Sequence, residues 1–270
     1  MIKEIGYQSK YLHTDIVNQC FQDNTYNFVD KQHTGNGFTT GFLKLTPTHE
    51  YQSNIIIVPN RKVVESKKFI YDATKNKDVT IGFFFGDETS DRLEFGKFDV
   101  MMFVVDSFLN YLHTVKANIY SVDKILIDEA HSILIQSPFR KPLVGFTELI
   151  RKEFKRNAIV SVTATPMLFT GVDIKLVTKN IEQRKIHISQ HQGNSLKRLQ
   201  DSLAKGNNCT IATQDARILK KLSDSKNKLT ANIQVGTTLF QKIVETVDLT
   251  VSEDAKLTII SSAGFEGFDV

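Results

Sequence analysis

The sequence predicts an α/β protein of two lobes, each built on a parallel sheet. Three observations carry that expectation. Short apolar runs without polar alternation, Ile55-Ile56-Ile57-Val58 and Lys124-Ile125-Leu126-Ile127 among them, read as strands buried on both faces, as in parallel sheets. Amphipathic stretches lie between them, so strands and helices alternate. A glycine turn, Gly35-Asn36-Gly37, follows one strand, and two adjacent carboxylates, Asp128-Glu129, end another. Both fall at carboxyl strand ends, the edge at which open α/β sheets bind ligands.

The bulk properties agree with a globular protein. The chain has 270 residues, 41% hydrophobic and 24% charged, which makes two domains the natural expectation. Lys and Arg number 34 against 30 Asp and Glu, a net charge of +4. Such a mildly basic balance permits nucleic-acid binding without demanding it. Cys20 and Cys209 are in neither a metal nor a redox spacing and read as reduced packing residues. The N-terminus carries charges and no long apolar core, and no run of eighteen apolar residues occurs. The expectation is a soluble, cytoplasmic protein without a membrane partner.

In chain order, Gly6 to Phe21 spaces Tyr7, Tyr11, Leu12, Ile16, Val17 and Phe21 as an amphipathic helix would. Tyr26 to Lys31 reads as a strand leading into the glycine turn. There, Gly35 and Gly37 let backbone N–H groups converge on an anion. The Ile55–Val58 strand ends in Pro59-Asn60-Arg61, which starts a helix through Val63, Val64 and Phe69. Val79 to Phe85 is a further strand whose three phenylalanines read as core, and Val100 to Val105 another, closed by Asp106-Ser107-Phe108. After Asp128-Glu129, residues Ser132 to Pro142 read as irregular, and Gly145 to Arg156 as a helix with Phe146, Leu149, Ile150 and Phe154 on one face. Ala158 to Thr163 is the next strand. Residues 1–168 form the first lobe, 169–179 a linker broken by Gly171, and 180–270 the second lobe. That lobe is expected to have strands at Arg184 to Ser189, Asn208 to Thr213, Asn232 to Val235 and Leu257 to Ser261, with helices at Ser195 to Ala204, Asp215 to Leu222 and Thr238 to Val244.

Five stretches, taken in order, resemble the motifs of superfamily 2 helicases of the DEAD/DEAH-box class. Asp128-Glu129-Ala130-His131 resembles motif II. Thr34-Gly35-Asn36-Gly37-Phe38-Thr39-Thr40 resembles motif I, with Phe38 where that motif has its phosphate-contacting lysine. Pro59-Asn60-Arg61 is similar to motif Ia, Thr163-Ala164-Thr165 to motif III, and Glu266-Gly267-Phe268-Asp269 to motif V. Tyr7-Gln8 looks like the dipeptide whose glutamine reads adenine, and Ser107 sits where motif Ib would lie.

The resemblance implies two tandem RecA-like lobes, the second incomplete, with ATP and Mg²⁺ as cofactors and DNA or RNA as partner. It implies that Thr39 and Asp128 ligate the metal and Glu129 orients or deprotonates water. It further implies that Gln8, Gly35, Asn36, Gly37, Phe38, Thr39, Thr40, Gly267 and Asp269 line the nucleotide, that His131, Thr163 and Thr165 couple the sites, and that Pro59, Asn60, Arg61 and Ser107 face nucleic acid. Motif VI, with its arginine, does not occur in these residues. Phe38 leaves two alternatives: either Lys31, at the end of the incoming strand, supplies the missing cation, or nucleotide binds weakly or not at all. The corresponding functions are an ATP-dependent helicase or translocase, and a hydrolysis-deficient nucleic-acid-binding or scaffold protein.

Overall fold

The computed structural model describes residues 2–178 apart from 10, 22–24, 34, 75–77, 87–92, 138–140 and 167–170, together with the backbone of three later strands. The chain divides into two compact units, Met1–Glu182 and Gln183–Val270.

The first unit is an eight-stranded sheet. In chain order its strands are β1 (Lys3–Tyr7), β2 (Tyr26–Asp30), β3 (Ser53–Val58), β4 (Ile81–Phe84), β5 (Val100–Val104), β6 (Val122–Ile127), β7 (Ala158–Thr163) and β8 (Ile174–Thr178). They lie side by side as β1-β8-β2-β7-β6-β3-β5-β4, and every pair is parallel. Each helix therefore crosses back over a face. All six residues of β3 are buried: Ile56 and Val58 join the apolar cluster on one side, with Phe38, Phe42, Val63 and Val64. Ile55 and Ile57 join the opposite cluster, with Phe108, Ile133, Phe146 and Ile150. The two-residue period of a strand thus feeds two helical layers at once. Helices α2 (Phe38–Phe42) and α3 (Arg61–Ala73) cover the first face; α4 (Val105–Ala117), α5 (Ala130–Gln136) and α6 (Phe146–Glu153) cover the second. Among the described residues no helix is long and apolar enough to cross a membrane.

Three elements differ from the sequence expectation. The helix expected over Gly6 to Phe21 is instead β1 followed by α1 (Thr14–Asn18). Ile5 and Tyr7 point inward with period two, a signal that the helix-like spacing of the residues after them masks. The expected linker contains β8, whose Ile174 and Leu176 are buried. Asp173 anchors it: its carboxylate accepts from Phe28 N–H at 2.8 Å, and its carbonyl accepts from Lys3 N–H at 2.8 Å. This one residue joins the starts of β1 and β8 to the middle of β2. The segment expected to be irregular after His131 begins with α5, which buries Ile133 against the second cluster.

Phe84 and Phe85 are buried as expected of core residues, Phe84 stacking on Phe103 at 4.6 Å between centroids. Cys20 is fully buried, which pushes its thiol up to about 12 and leaves it an inert packing group.

Gly41 lets α2 sit against α1. A Cβ there would lie 2.8 Å from Cγ2 of Val17, itself wholly buried. Gly41→Ala is therefore expected to destabilise the first unit by about 1–3 kcal/mol through overpacking. The denaturant midpoint measures this; an unchanged midpoint would mean that α1 shifts freely.

The second unit has three parallel strands, β9 (Cys209–Ala212), β10 (Ala231–Gln234) and β11 (Leu257–Ile260), in the order β10-β11-β9. These fall on three of the four expected strands. The fourth, Arg184 to Ser189, and the three expected helices lie outside the described residues.

Candidate functional site

The connections leaving β2 and β7 run to opposite sides of the sheet, to β3 and β8 respectively. Adjacent parallel strands that part in this way open a crevice at their carboxyl ends. Into it project the loop after β2, the turn after β6 and the end of β7.

The loop after β2 is stapled by Asn36, which is buried. Its side chain donates to the Lys31 carbonyl at 2.9 Å and accepts from Phe38 N–H at 3.2 Å. Its own carbonyl accepts from Leu12 N–H at 2.8 Å. Gly35 and Gly37 adopt φ of 70° and 84°, conformations costly for any residue with a Cβ. Phe38 turns away from the loop and into the core, 1% exposed. Thr39 is half-buried, and Thr40 accepts from Lys67 Nζ at 3.3 Å.

The turn after β6 begins with Asp128, whose backbone N–H donates to the Ile57 carbonyl at 2.9 Å. Its Oδ1 accepts from Glu129 N–H at 2.9 Å, and its Oδ2 accepts from the Thr39 hydroxyl at 2.5 Å. The Lys31 ammonium donates to Glu129 Oε1 at 2.5 Å and lies 3.6 Å from Asp128 Oδ1. His131 Nδ1 is 3.3 Å from Glu129 Oε2 and 2.8 Å from the Thr163 hydroxyl. That hydroxyl in turn lies 3.1 Å from the hydroxyl of Thr165. A polar chain therefore runs from the lysine, through the acidic pair and the histidine, to the end of β7.

Backbone strain gathers at the same place. Among the described residues only Gln32 and Glu129 combine a side chain with positive φ, at 61° and 45°, and each is next to a member of the Lys31–Glu129 pair or is one. Left-handed non-glycine residues persist only where their surroundings hold them. Gln32 is held by the Asp30 carboxylate, which accepts from both its backbone and its side chain.

Burial, the largest influence on Lys31, acts to lower its pKa, but the charges of Asp128 and Glu129 and their hydrogen bonds outweigh it, so the net shift is upward from 10.5. A raised folded-state value means that the lysine's contribution to stability is complete below its ordinary pKa and is lost as pH rises through the folded one. Denaturation across pH 7 to 11 is expected to show no Lys31-dependent loss below about pH 10. A loss near pH 9 that is missing in Lys31→Met would indicate the opposite shift.

Of the residues singled out from sequence, the structure brings Lys31, Asn36, Gly37, Phe38, Thr39, Asp128, Glu129, His131, Thr163 and Thr165 to one sheet edge. Gln8 is exposed just past β1; it is Leu12, four residues on, that bonds the loop. After β3, Pro59 is buried, and Asn60 caps α3 by accepting from Val63 N–H at 3.2 Å. Arg61 pairs with Glu65 at 2.7 Å and lies over the Phe85 ring at 5.1 Å. Ser107 is buried in the first turn of α4. Gly267 and Asp269 lie outside the described residues. Sequence reasoning missed Asp30 and Gln32, and named Tyr7 only for its helix-like spacing and as the neighbour of Gln8. The Tyr7 side chain hydrogen-bonds Asn36, and burial raises its pKa. Only closeness to the glycine turn could have suggested Asp30 and Gln32.

The donor set suits a hard divalent cation. The Thr39 hydroxyl and Asp128 carboxylate are oxygen donors of the kind such a cation takes, already 2.5 Å apart. No group of three or more His, Cys, Asp or Glu able to hold a metal occurs among the described residues. Few protein oxygens, completed by water and phosphate, are what Mg²⁺ prefers.

No protein-family model matches the chain, and no curated protein matches it in sequence. Solved structures do match. An S. cerevisiae Dbp5 variant bound to Gle1 and IP6 is similar over 95% of this chain and 69% of its own, with TM-score 0.59 and 12% identity. S. cerevisiae Dbp5 bound to RNA and ADP BeF3 gives 95% and 71%, TM-score 0.56 and 12% identity. Mycobacterium smegmatis helicase Lhr bound to ssDNA and AMP-PNP gives 89% and 38%, TM-score 0.53 and 13% identity. At such identities the likeness is one of architecture: the chain has a parallel α/β, RecA-like fold, as the helicase domains of those structures do.

Proposed function

We propose that this protein is a nucleic-acid helicase or translocase that couples Mg-ATP hydrolysis to strand movement. The observation that carries the proposal is the meeting of Thr39, Asp128, Glu129 and Lys31 within hydrogen-bonding reach at the sheet edge. Side chains 89 and 98 residues apart in sequence converge there, next to a glycine loop. The similar structures support the reading, since one holds RNA with ADP BeF3 and another ssDNA with AMP-PNP.

In this reading Thr39 and Asp128 hold the cation, and the loop from Gly35 to Thr39 offers its backbone N–H groups to the phosphates. Bound Mg²⁺ supplies charge to offset that developing on the transferring phosphoryl group. Glu129 orients a water and accepts its proton. His131, touching both Glu129 and Thr163, links the acid to the end of β7 and, through Thr165, to the segment that follows. Arg61 lies at the carboxyl end of β3, on the same sheet edge, where a guanidinium can meet a strand phosphate.

A second reading, a hydrolysis-deficient nucleic-acid-binding or scaffold protein, is favoured by one observation: Phe38 is buried where motif I places its cation. Hydrolysis measured with and without single-stranded RNA and DNA separates the two. Stimulated turnover is expected. Salt-dependent strand binding without turnover supports the second reading, and absence of both overturns both.

A further inference from the structure

Lys31 is the only lysine or arginine buried among the described residues, 4% exposed, and its charge ends on two carboxylates rather than in water. The position after the second glycine, from which a phosphate loop usually extends its lysine, holds a core phenylalanine. Lys67, on α3, meets the Thr40 hydroxyl at 3.3 Å, on α2 rather than at the acids. Lys31 is also tied into the loop by its backbone. Its N–H donates to the Thr163 carbonyl at 2.8 Å, and its carbonyl accepts from Asn36 at 2.9 Å. The Cα is therefore fixed beside the glycine turn, while a flexible four-carbon arm carries the ammonium. Rotation of that arm alone exchanges one anion for another.

Resting on the reading of this edge as a nucleoside triphosphate site, we infer that Lys31 is its phosphate-contacting cation, stored on Glu129 and handed to the phosphate when nucleotide binds. The hand-over frees the Glu129 carboxylate to accept a proton, so that base and substrate become ready together. It also opposes nucleotide binding, because the Lys31–Glu129 pair must first be broken.

That opposition gives a test by equilibrium binding of a fluorescent ATP analogue with MgCl₂, independent of turnover. Lys31→Met is expected to bind at least about tenfold more weakly than the unmodified protein, the loss of one charge-assisted phosphate contact. Glu129→Gln, which loosens the hold on Lys31, is expected to bind several-fold more tightly. The double variant should be as weak as Lys31→Met. Should Lys31→Met fail to fold, Glu129→Gln set against the double variant isolates the same contribution, since both charges are then removed together. Binding by Lys31→Met within twofold of the unmodified protein overturns the inference while leaving the proposed function standing. So does a loss that appears in Lys67→Ala instead. If the unmodified protein binds no analogue, the nucleotide site itself falls, and this inference with it.

Discussion

Under the proposed function, Glu129→Gln is expected to lower nucleic-acid-stimulated ATP hydrolysis by about a hundredfold or more, the range associated with losing a positioned general base. The amide keeps the shape of the side chain and removes only its capacity to take a proton. The fold is expected to survive, because Lys31 retains Asp128 at 3.6 Å and Asp128 retains the Thr39 hydroxyl. Turnover under saturating ATP, beside a thermal melt of the same preparation, checks both halves. Activity within threefold of the unmodified protein would remove Glu129 from the chemistry. The alternative carboxylate, Asp128, is then the one to test.

Replacing Phe38 is expected to have the largest effect on stability. Phe38 is 1% exposed and belongs to the cluster that contains Val29, Phe42, Val160 and Val162, so it joins α2 to the sheet directly beneath the glycine loop. Phe38→Ala should cost about 3–5 kcal/mol, the usual range for emptying a buried aromatic site. Phe38→Lys is the more informative change. It restores the motif I pattern on paper, but the lysine must either bury its ammonium or leave a cavity of nearly the same size. The expected result is a melting temperature lowered as far as in Phe38→Ala, with no gain in hydrolysis. A Phe38→Lys protein that is as stable as the original and faster would show that the loop readily turns its side chain outward, and would assign the missing charge to position 38 rather than to Lys31.

Much of the site could be read from the chain because its clues are local. A continuous apolar run announces a doubly buried strand, a carboxylate or glycine after it marks the carboxyl end, and parallel strands bring those ends to one edge. Asp128 and Glu129 were singled out by that logic, whereas Thr39, Asn36 and Thr163 were singled out by their resemblance to helicase motifs. The expected roles of Gly267 and Asp269 belong to residues not described. Lys31 was one of two open alternatives, since a lysine at a strand end is ordinarily solvated. What distinguishes it is contact with Glu129 across 98 residues, and no local pattern encodes such a contact.

The elements misjudged from sequence share that cause. β1 and β8 are edge-region strands that exist because they pair with each other and β8 also with β2. Their short apolar alternations, Ile5 with Tyr7 and Ile174 with Leu176, compete poorly with the helical spacing and the glycine nearby until a partner strand supplies hydrogen bonds. The left-handed Glu129 is likewise invisible in sequence, because glutamate has no preference for that conformation and adopts it only where surrounding contacts outweigh the strain.

By itself, then, the sequence determined the α/β class, the parallel sheet edge and the residues that stand along it, since burial period and turn chemistry depend on neighbours a few positions away. Tertiary structure alone decided where the charge goes. It sent Phe38 into the core and Lys31 onto the acidic pair, because whether a side chain is buried or paired depends on what distant segments bring to meet it.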